Sequence, residues 1–166
     1  MSDANGKTVV ILGATSSVAR ALAGEFALRG SPLILAARDV DDAAVIGVDI
    51  EIRFGVTVQA VRFDADRVES LPRTLERCLE VAETDLAGIV LCYGFMDEQA
   101  KGQADPDIVE KTMNVNLTSA AIVLEQFAAY FAEKKAGFIA ALSSVAGDRG
   151  RQSNYIYGAS KAGLTA

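Results

Sequence analysis

The sequence contains no histidine and only two cysteines among its 166 residues. The missing imidazole excludes Ser-His-Asp and Cys-His nucleophilic catalysis, and it excludes histidine-ligated zinc or iron sites. Two cysteines are too few for a Cys₄ site, so we expect no metal centre. Cys78 and Cys92 do not form a C-x-x-C pair. We interpret them as buried thiols of a protein from a reducing compartment.

Basic runs and long apolar runs are also lacking. The chain has 16 Lys and Arg against 22 Asp and Glu, a formal charge of −6. That balance argues against a nucleic-acid partner, which must neutralise phosphates. No apolar run approaches the roughly 20 residues that cross a bilayer, and residues 1–7 lack the pattern of a signal peptide. We therefore expect a cytoplasmic protein without a membrane span.

Apolar stretches alternate with amphipathic ones along the chain. The apolar content of 51% and the length favour one globular domain over residues 1–166. We predict strands over 8–12, 33–37, 56–63, 88–93 and 137–143, and helices over 18–26, 41–53, 71–79, 105–134 and from 155. Strands that are apolar throughout, each followed by a helix, predict a parallel sheet covered on both faces. The fold class is therefore α/β, with a doubly wound sheet in three α/β/α layers.

The pattern stops within the last predicted helix. Residues 158–166 contain neither a helix-ending signal nor a following strand. We expect the domain to continue beyond the fifth strand and the start of this helix.

The first strand leads through Gly13, Thr15 and Ser16 directly into a helix that starts near Ser17 and Val18. Such a strand–turn–helix directs backbone N–H groups and the positive helix end at a pyrophosphate. Small residues let the backbone approach the ligand. With one glycine in the turn, the alternative is an ordinary βα turn of another α/β fold.

Two strand ends carry residues that fit a dinucleotide. Arg38 follows the second strand, where a base accommodates the 2′-phosphate of NADP. Its alternative is a solvated arginine whose charge Asp39 partly offsets. Asp64 ends the third strand, where it either contacts an adenine amino group or caps the next helix. We predict NADP as the cofactor, with NAD as the alternative.

Tyr157 and Lys161 are spaced i, i+4 and therefore project from one helix face. An ammonium beside a phenol favours the phenolate, so Tyr157 is a candidate general acid/base for carbonyl–alcohol interconversion. Tyr130 and Lys134 share this spacing, and we interpret them as structural. The difference is Ser144, which follows a buried strand 13 residues before Tyr157. Strand ends border the ligand crevice of a parallel sheet, so Ser144 is placed to bind a substrate oxygen.

The turn at Gly13, the segment Met113-Asn114-Val115-Asn116-Leu117, Ser144 and the pair Tyr157-x₃-Lys161 resemble the short-chain dehydrogenase/reductase family in order and spacing. The resemblance implies a Rossmann-type NAD(P)-binding domain that acts on a ketone or secondary alcohol. It implies Tyr157 as acid/base, Lys161 on the nicotinamide ribose, Ser144 on the carbonyl and Asn116 holding a water of a proton relay. The implied cofactor-binding residues are Gly13, Thr15, Ser16, Ser17, Val18, Arg38, Asp64, Gly94, Tyr157 and Lys161. Family members commonly form homo-dimers or tetramers.

Two features depart from the family pattern. Ser17 and Ala19 replace glycines of the turn, and Leu91-Cys92-Tyr93-Gly94 stands where the family often has Asn-Asn-Ala-Gly. Together with the loop after Ser144 they resemble the reductases of polyprenyl-phosphate-linked 2-keto-pentose (decaprenylphosphoryl-2-keto-ribose). Arg149 and Arg151 in that loop fit a phosphate-bearing substrate or serve solubility alone.

Two other classes of protein remain open at this point. A truncated, non-catalytic nucleotide-binding or interaction module would fit the abrupt end of the chain. A flavodoxin-like or receiver-type protein would fit the order of elements, but it does not require Ser144 and the Tyr157–Lys161 pair.

Overall fold

The computed structural model describes residues 6–166, in which strands alternate with helices. The strands are β1 Thr8–Leu12, β2 Leu33–Ala37, β3 Val58–Arg62, β4 Leu86–Leu91 and β5 Phe138–Ala141. The α-helices are α1 Ser17–Leu28, α2 Val40–Phe54, α3 Thr74–Val81, α4 Gln99–Ala104, α5 Pro106–Met113, α6 Ser119–Lys134 and α7 Tyr155–Thr165. A 3₁₀ helix covers Val68–Arg73 and a π-helical turn covers Asn114–Thr118. The expectation about a signal peptide falls mainly on residues 1–5, which lie outside the described residues.

The five strands form one parallel sheet in the order β3-β2-β1-β4-β5. The chain runs from β1 outward to β3 and then returns to the other side of β1. Such a reversal opens a crevice at the carboxyl ends of the central strands. The order differs from the 2-1-3-4-5 order of flavodoxin-like and receiver proteins, which excludes that alternative. The predicted doubly wound α/β fold is confirmed. The prediction that the strand before Ser144 is buried is wrong, because β5 is the edge strand of the sheet in this structure and most of its residues are exposed.

Alternate residues of the central strands supply two separate cores. Val10 and Leu12 of β1 join the cluster under α3 and α6, where Phe127 is completely buried. Val9 and Ile11 of the same strand join the cluster under α1 and α2. Because both faces are covered, β1 is apolar at every position except its first, as parallel central strands usually are.

The i+4 spacing of Val18, Leu22 and Phe26 predicts that these three residues form the buried stripe of α1, and this prediction is wrong about the centre of the buried face. Val18 is 50% exposed, whereas Ala19, Ala23 and Ala27 are buried. Small side chains let the helix lie close to the sheet, and the larger Leu22 and Phe26 cover the edges of the contact. The i, i+4 spacing of Glu25 and Arg29 also predicts an ion pair on the other face of α1, and this pair is present, with 3.6 Å between its charged atoms.

The predicted long helix begins as expected, because the Asp105 side chain accepts from Asp107 N and Pro106 occupies the first helical position. It is interrupted by the π-helical turn at Asn114–Thr118, which the spacing did not predict. By length and composition the helix Pro106–Lys134 could cross a membrane, with a mean hydropathy of 1.2 in its most apolar window. In this fold it is the core helix that packs on the sheet.

Both cysteines are buried, as predicted. Burial raises the pKa of the Cys78 thiol to about 12 and that of the Cys92 thiol to about 11. Neither thiol is therefore a ready nucleophile at neutral pH.

Gly88 on β4 offers a test of strand packing. A Cβ at Gly88 would lie 2.3 Å from the ring of Phe138, which stacks on Phe26 at 5.9 Å. We expect Gly88→Ala to lower the free energy of unfolding by about 1–3 kcal/mol, measured by urea denaturation.

Gly24 in the middle of α1 is the matched control. Its nearest atom is 3.9 Å from an added Cβ, so Gly24→Ala should raise the free energy of unfolding by about 0.5–1 kcal/mol. Equal effects of the two substitutions would contradict the packing of β4 on β5.

Candidate active site

A cavity of about 330 Å³ lies at the carboxyl ends of the strands. It is lined by the segments that follow β1, β2, β3 and β4, by α5 and by the π-helical turn. The lining residues are Gly13, Thr15, Ser16, Ala37, Arg38, Phe63, Asp64, Ala65, Asp66, Cys92, Tyr93, Gly94, Phe95, Lys111 and Val115. The cavity is therefore the crevice that the strand order predicts, and six of the ten predicted cofactor-binding residues line it.

The turn after β1 needs one glycine. Gly13 has φ +79°, and a Cβ there would lie 2.7 Å from the Cβ of Tyr93. The next residues shape the start of α1, because Ser16 is its N-cap and accepts from Ala19 N at 3.2 Å. Ser17 and Val18 are exposed and lie outside the lining of the cavity. The cavity thus meets the N-terminus of α1, where backbone N–H groups favour anions.

Arg38 and Asp64 both line the cavity. Arg38 is exposed at the end of β2, and the neighbouring carboxylate of Asp39 instead caps α2 by accepting from Asp42 N. The Asp64 carboxylate accepts from Asp66 N at 3.1 Å and lies 3.8 Å from Arg67, so it also shapes the loop before the 3₁₀ helix.

An ion pair that sequence reasoning missed lies at the same cavity. Lys111 Nζ is 3.1 Å from the carboxylate of Asp66 and 5.0 Å from the ring centre of Phe95. All three residues line the cavity. The pair joins α5 to the loop after β3, and the 44 residues between its members give no sequence signal for it.

Asn116 occupies the middle of the π-helical turn and is 1% exposed. Its Oδ1 accepts from Phe95 N at 2.7 Å, and its Nδ2 donates to Phe95 O at 2.7 Å and to Ser160 Oγ at 2.9 Å. Both amide hydrogens are therefore engaged. The alternative interpretation of Asn116, a polar helix residue that bonds to backbone, fits these contacts with Phe95. The link from the loop after β4 to α7 was not predicted from the sequence.

Lys161 lies beside this junction and is 3% exposed. Its Nζ donates to Leu142 O at 3.0 Å, just after β5. Nζ and Asn116 Oδ1 lie 3.4 and 3.2 Å from the point that a Cβ of Gly94 would occupy, so both surround this glycine. Burial disfavours the ammonium and lowers the pKa of Lys161.

The loop that carries Ser144 packs on α7. Ser144 Oγ accepts from Ala146 N at 3.2 Å, and a Cβ at Gly158 would lie 2.6 Å from Ala146 O. Tyr157 is half-buried in the first turn of α7, next to this contact. The fold thus brings the Ser144 loop to the part of α7 that bears Tyr157 and Lys161.

The start of α7 is also held by α4, a helix that the sequence did not predict. Gln99 Oε1 accepts from Ile156 N at 3.2 Å. Gln103 Nε2 donates to the hydroxyl of Tyr155 at 3.2 Å. The segment after β4 therefore positions α7 from two sides, through α4 and through Asn116.

Comparison with known proteins identifies the family. The profile of the short chain dehydrogenase family matches residues 7–166. The chain belongs to this family. An uncharacterized oxidoreductase of Mycobacterium tuberculosis is 30% identical over 164 residues, which cover 99% of this chain and 65% of that protein. A second uncharacterized oxidoreductase, of Streptomyces coelicolor, is 31% identical over 166 residues, with coverages of 99% and 65%.

Solved short-chain dehydrogenases share the fold. The enzyme of Sphingobium yanoikuyae in complex with NADPH has a TM-score of 0.86 and 27% identity over 95% of this chain and 61% of its own. The bulky-bulky ketone specific alcohol dehydrogenase of Comamonas testosteroni has a TM-score of 0.86 and 27% identity, with coverages of 96% and 64%. The expected family is confirmed, and the chain spans about 65% of the length of the curated relatives named above.

The buried ammonium of Lys161 predicts a pH-dependent stability. The folded state releases this proton at lower pH than the unfolded state does, so between the lowered pKa and about 10.4 the unfolded state binds more protons. The contribution of Lys161 to stability therefore rises with pH through this window. We expect Lys161→Met to unfold at higher urea concentration than the wild type at pH 7, by a margin that narrows toward pH 10.

Lys134→Met is the control, because Lys134 is exposed at the end of α6. The urea concentration at which Lys134→Met is half unfolded should equal that of the wild type at each pH in the same range. A margin for Lys161→Met that stays constant or widens with pH would contradict the assignment.

Proposed function

We propose that this chain carries the cofactor-binding and proton-transfer parts of an NADP-dependent oxidoreductase that interconverts a ketone and a secondary alcohol. The observation that carries the proposal is the buried Lys161, on the same helix as Tyr157 and adjacent to Gly94 at the rim of the strand-end cavity. Family membership supports it. The oxidoreductase relatives favour this reading over a non-catalytic nucleotide-binding or interaction module.

The cavity residues fit a dinucleotide. Gly13 lets the backbone approach a pyrophosphate, and Thr15 and Ser16 lie where α1 begins. Arg38 supplies a positive charge for a 2′-phosphate, and Asp64 supplies an acceptor for an adenine amino group. We extend the site to Gly94, Tyr157 and Lys161 on the nicotinamide side, and to Ser17 and Val18 through their place in the first turn of α1. The bound cofactor supplies or accepts the hydride.

The proton moves through side chains of this chain. Tyr157 Oη donates its proton to the carbonyl oxygen during reduction, and the Lys161 ammonium stabilises the phenolate that results. Ser144 Oγ donates a hydrogen bond that orients the same carbonyl. Lys161 keeps donors beyond the one given to Leu142 O, because an ammonium has three. Both amide hydrogens of Asn116 are donated to other groups, to Phe95 O and to Ser160 Oγ. Asn116 would therefore hold a relay water by accepting a hydrogen bond at one of its oxygens rather than by donating from Nδ2.

For the substrate we propose a keto-sugar of cell-envelope synthesis that carries a phosphate group, as in the polyprenyl-phosphate-linked 2-keto-pentoses. Arg149 and Arg151 are exposed on the loop between β5 and α7, where a phosphate could reach them. Arginine forms bidentate hydrogen bonds with phosphate. The test is to measure kcat/KM for a panel of keto-sugars and simple ketones. We expect phosphate-bearing keto-sugars to be preferred by the wild type, and this preference to be lost in Arg149→Ala or Arg151→Ala.

We further propose that residues 1–166 act as one nucleotide-binding domain of a cytoplasmic protein that forms a homo-dimer or tetramer. The resemblance to the family supports the assembly. Sedimentation velocity of the protein measures it directly.

The role of Tyr157 can be tested with a neighbouring tyrosine as control. We expect Tyr157→Phe to lower kcat for ketone reduction by about 10²–10⁴-fold, because the general acid is lost, with NADPH affinity little changed. Tyr155 lies on the same helix as Tyr157, and its hydroxyl contacts Gln103 of α4. Tyr155→Phe removes this hydroxyl and should leave kcat within a few-fold of the wild-type value. Equal activity of the two variants would refute the mechanism.

Cofactor choice can be tested through Arg38. We expect Arg38→Ala to weaken NADPH binding by about 10- to 100-fold while NADH binding stays similar, since a hydrogen bond to a charged group contributes about 1.5–3 kcal/mol. Arg53→Ala on α2, where Arg53 pairs with Asp49, is the control. An unchanged NADPH-to-NADH ratio in Arg38→Ala, measured by fluorescence titration, would show that another group selects the cofactor.

A further inference from the structure

We propose that Tyr93 is a positioning residue whose hydroxyl holds the π-helical turn and thereby presents Asn116 to Phe95 and α7. The proposal rests on the proposed function for its effect on turnover. It adds a residue at a position where this chain departs from the family pattern, in the segment Leu91-Cys92-Tyr93-Gly94.

Tyr93 lies between the turn after β1, which contains Gly13, and the π-helical turn. Its Cβ closely approaches Gly13, whose added Cβ would lie 2.7 Å away. Its ring packs on Phe63 with centroids 5.2 Å apart, and both residues line the strand-end cavity. The backbone and ring of Tyr93 are thus fixed by the sheet side of the cavity.

The hydroxyl of Tyr93 begins a chain of two hydrogen bonds. Tyr93 Oη lies 2.9 Å from Ser119 Oγ, and Ser119 Oγ donates to Val115 O at 2.7 Å. A serine hydroxyl has one hydrogen, and a carbonyl oxygen only accepts, so Tyr93 is the donor to Ser119. Burial raises the pKa of Tyr93 to about 12, which keeps this donor protonated at neutral pH. Ser119 itself is completely buried.

The two hydrogen bonds lead from Tyr93 to Val115 O, which lies inside the turn that bears Asn116. Val115 precedes Asn116, and both belong to the π-helical turn Asn114–Thr118, in which Ser119 N donates to Asn114 O. A π turn accommodates an extra residue relative to an α-helix and occurs frequently at functional sites. If the turn relaxed to the α pattern, Asn116 would rotate around the helix axis and lose its contacts with Phe95. In an α-helix Ser119 N would bond to Val115 O, whereas here Ser119 Oγ bonds to this carbonyl and leaves Ser119 N on Asn114 O. The hydroxyl of Tyr93 orients the Ser119 side chain for this exchange and so supports the wider turn.

The test compares Tyr93→Phe with Tyr130→Phe, which removes a phenol hydroxyl from α6, where the Tyr130 ring packs on Phe131. The first readout is hydrogen exchange of Phe95 N–H in the cofactor-free protein, because this amide donates to Asn116. We expect exchange to be about tenfold faster in Tyr93→Phe and unchanged in Tyr130→Phe. Val10 N–H in the core strand serves as the internal reference for global opening. The second readout is kcat, expected to fall about tenfold in Tyr93→Phe with KM for NADPH within twofold.

Ser119 provides an independent variant. Ser119→Ala should speed exchange at Phe95 as well, and the double variant should be no more affected than Ser119→Ala alone, because both substitutions break one chain of hydrogen bonds. Additive effects would overturn the proposal.

The positioning role and the proposed function fail in distinguishable ways. Unchanged exchange at Phe95 in Tyr93→Phe overturns the positioning role whatever the activity. A kcat of Tyr93→Phe equal to that of Tyr130→Phe overturns it too. A wild-type protein that reduces none of the ketones overturns the proposed function, while exchange at Phe95 still decides the role of Tyr93.

Discussion

The side chain of Asn116 is the contact on which the rest of the candidate site depends. It pairs with both backbone polar groups of Phe95 and bonds to Ser160 Oγ, so one buried amide joins the loop after β4 to α7. Buried amide groups that lose a partner are costly, because water does not replace the lost bond. The contact therefore fixes the distance between the cavity wall and the helix that bears Tyr157 and Lys161. The sheet supplies the cavity, and Asn116 holds α7 beside it.

The two sides of the site are built by different physical means. On the nucleotide side, small residues at the strand ends leave space for a ligand. Gly13 has a left-handed backbone, and it lies so close to Tyr93 that a side chain at this position would clash. On the side of α7, burial and hydrogen bonds hold polar groups that would otherwise be solvated. Lys161 is the clearest case, since its ammonium is removed from solvent and bonded to Leu142 O. Such a desolvated cation is destabilising by itself, which is typical of functional sites.

Sequence patterns predicted the elements because strand and helix periodicities are local. β1 and β2 lie where the apolar runs placed them, and Asp105-Pro106 begins a helix as its residue types require. The i, i+4 spacing could not by itself separate the two Tyr–Lys pairs. In the structure the ammonium of Lys134 lies 5.7 Å from the centre of the Tyr130 ring, and neither residue lines the cavity. The pair Tyr157–Lys161 was distinguished from Tyr130–Lys134 by Ser144, because a residue that follows a strand lies at the carboxyl edge of the sheet.

What the sequence did not predict are pairs between distant elements. The contacts of Lys111 with Asp66 and of Tyr93 with Ser119 join residues far apart in the chain, and single residues at such separations have no periodicity. The π-helical turn was missed because its residues are ordinary helix residues, and only the bonds of Asn116 and Ser119 reveal why the turn widens. The spacing of Val18, Leu22 and Phe26 also failed to predict the buried face of α1, because alanines form its centre.

The central claim is that the Asn116 side chain holds α7 against the cavity. Hydrogen exchange of the α7 amides in Asn116→Ala, compared with Asn114→Ala, tests it most directly. Asn114 lies in the same π-helical turn, but its side chain donates to Glu110 Oε1, at 3.4 Å, in an exposed hydrogen bond within the helix. We predict faster exchange along α7 in Asn116→Ala, with the β1 amides still protected, and wild-type exchange in Asn114→Ala. Equal protection of α7 in both variants would contradict the account.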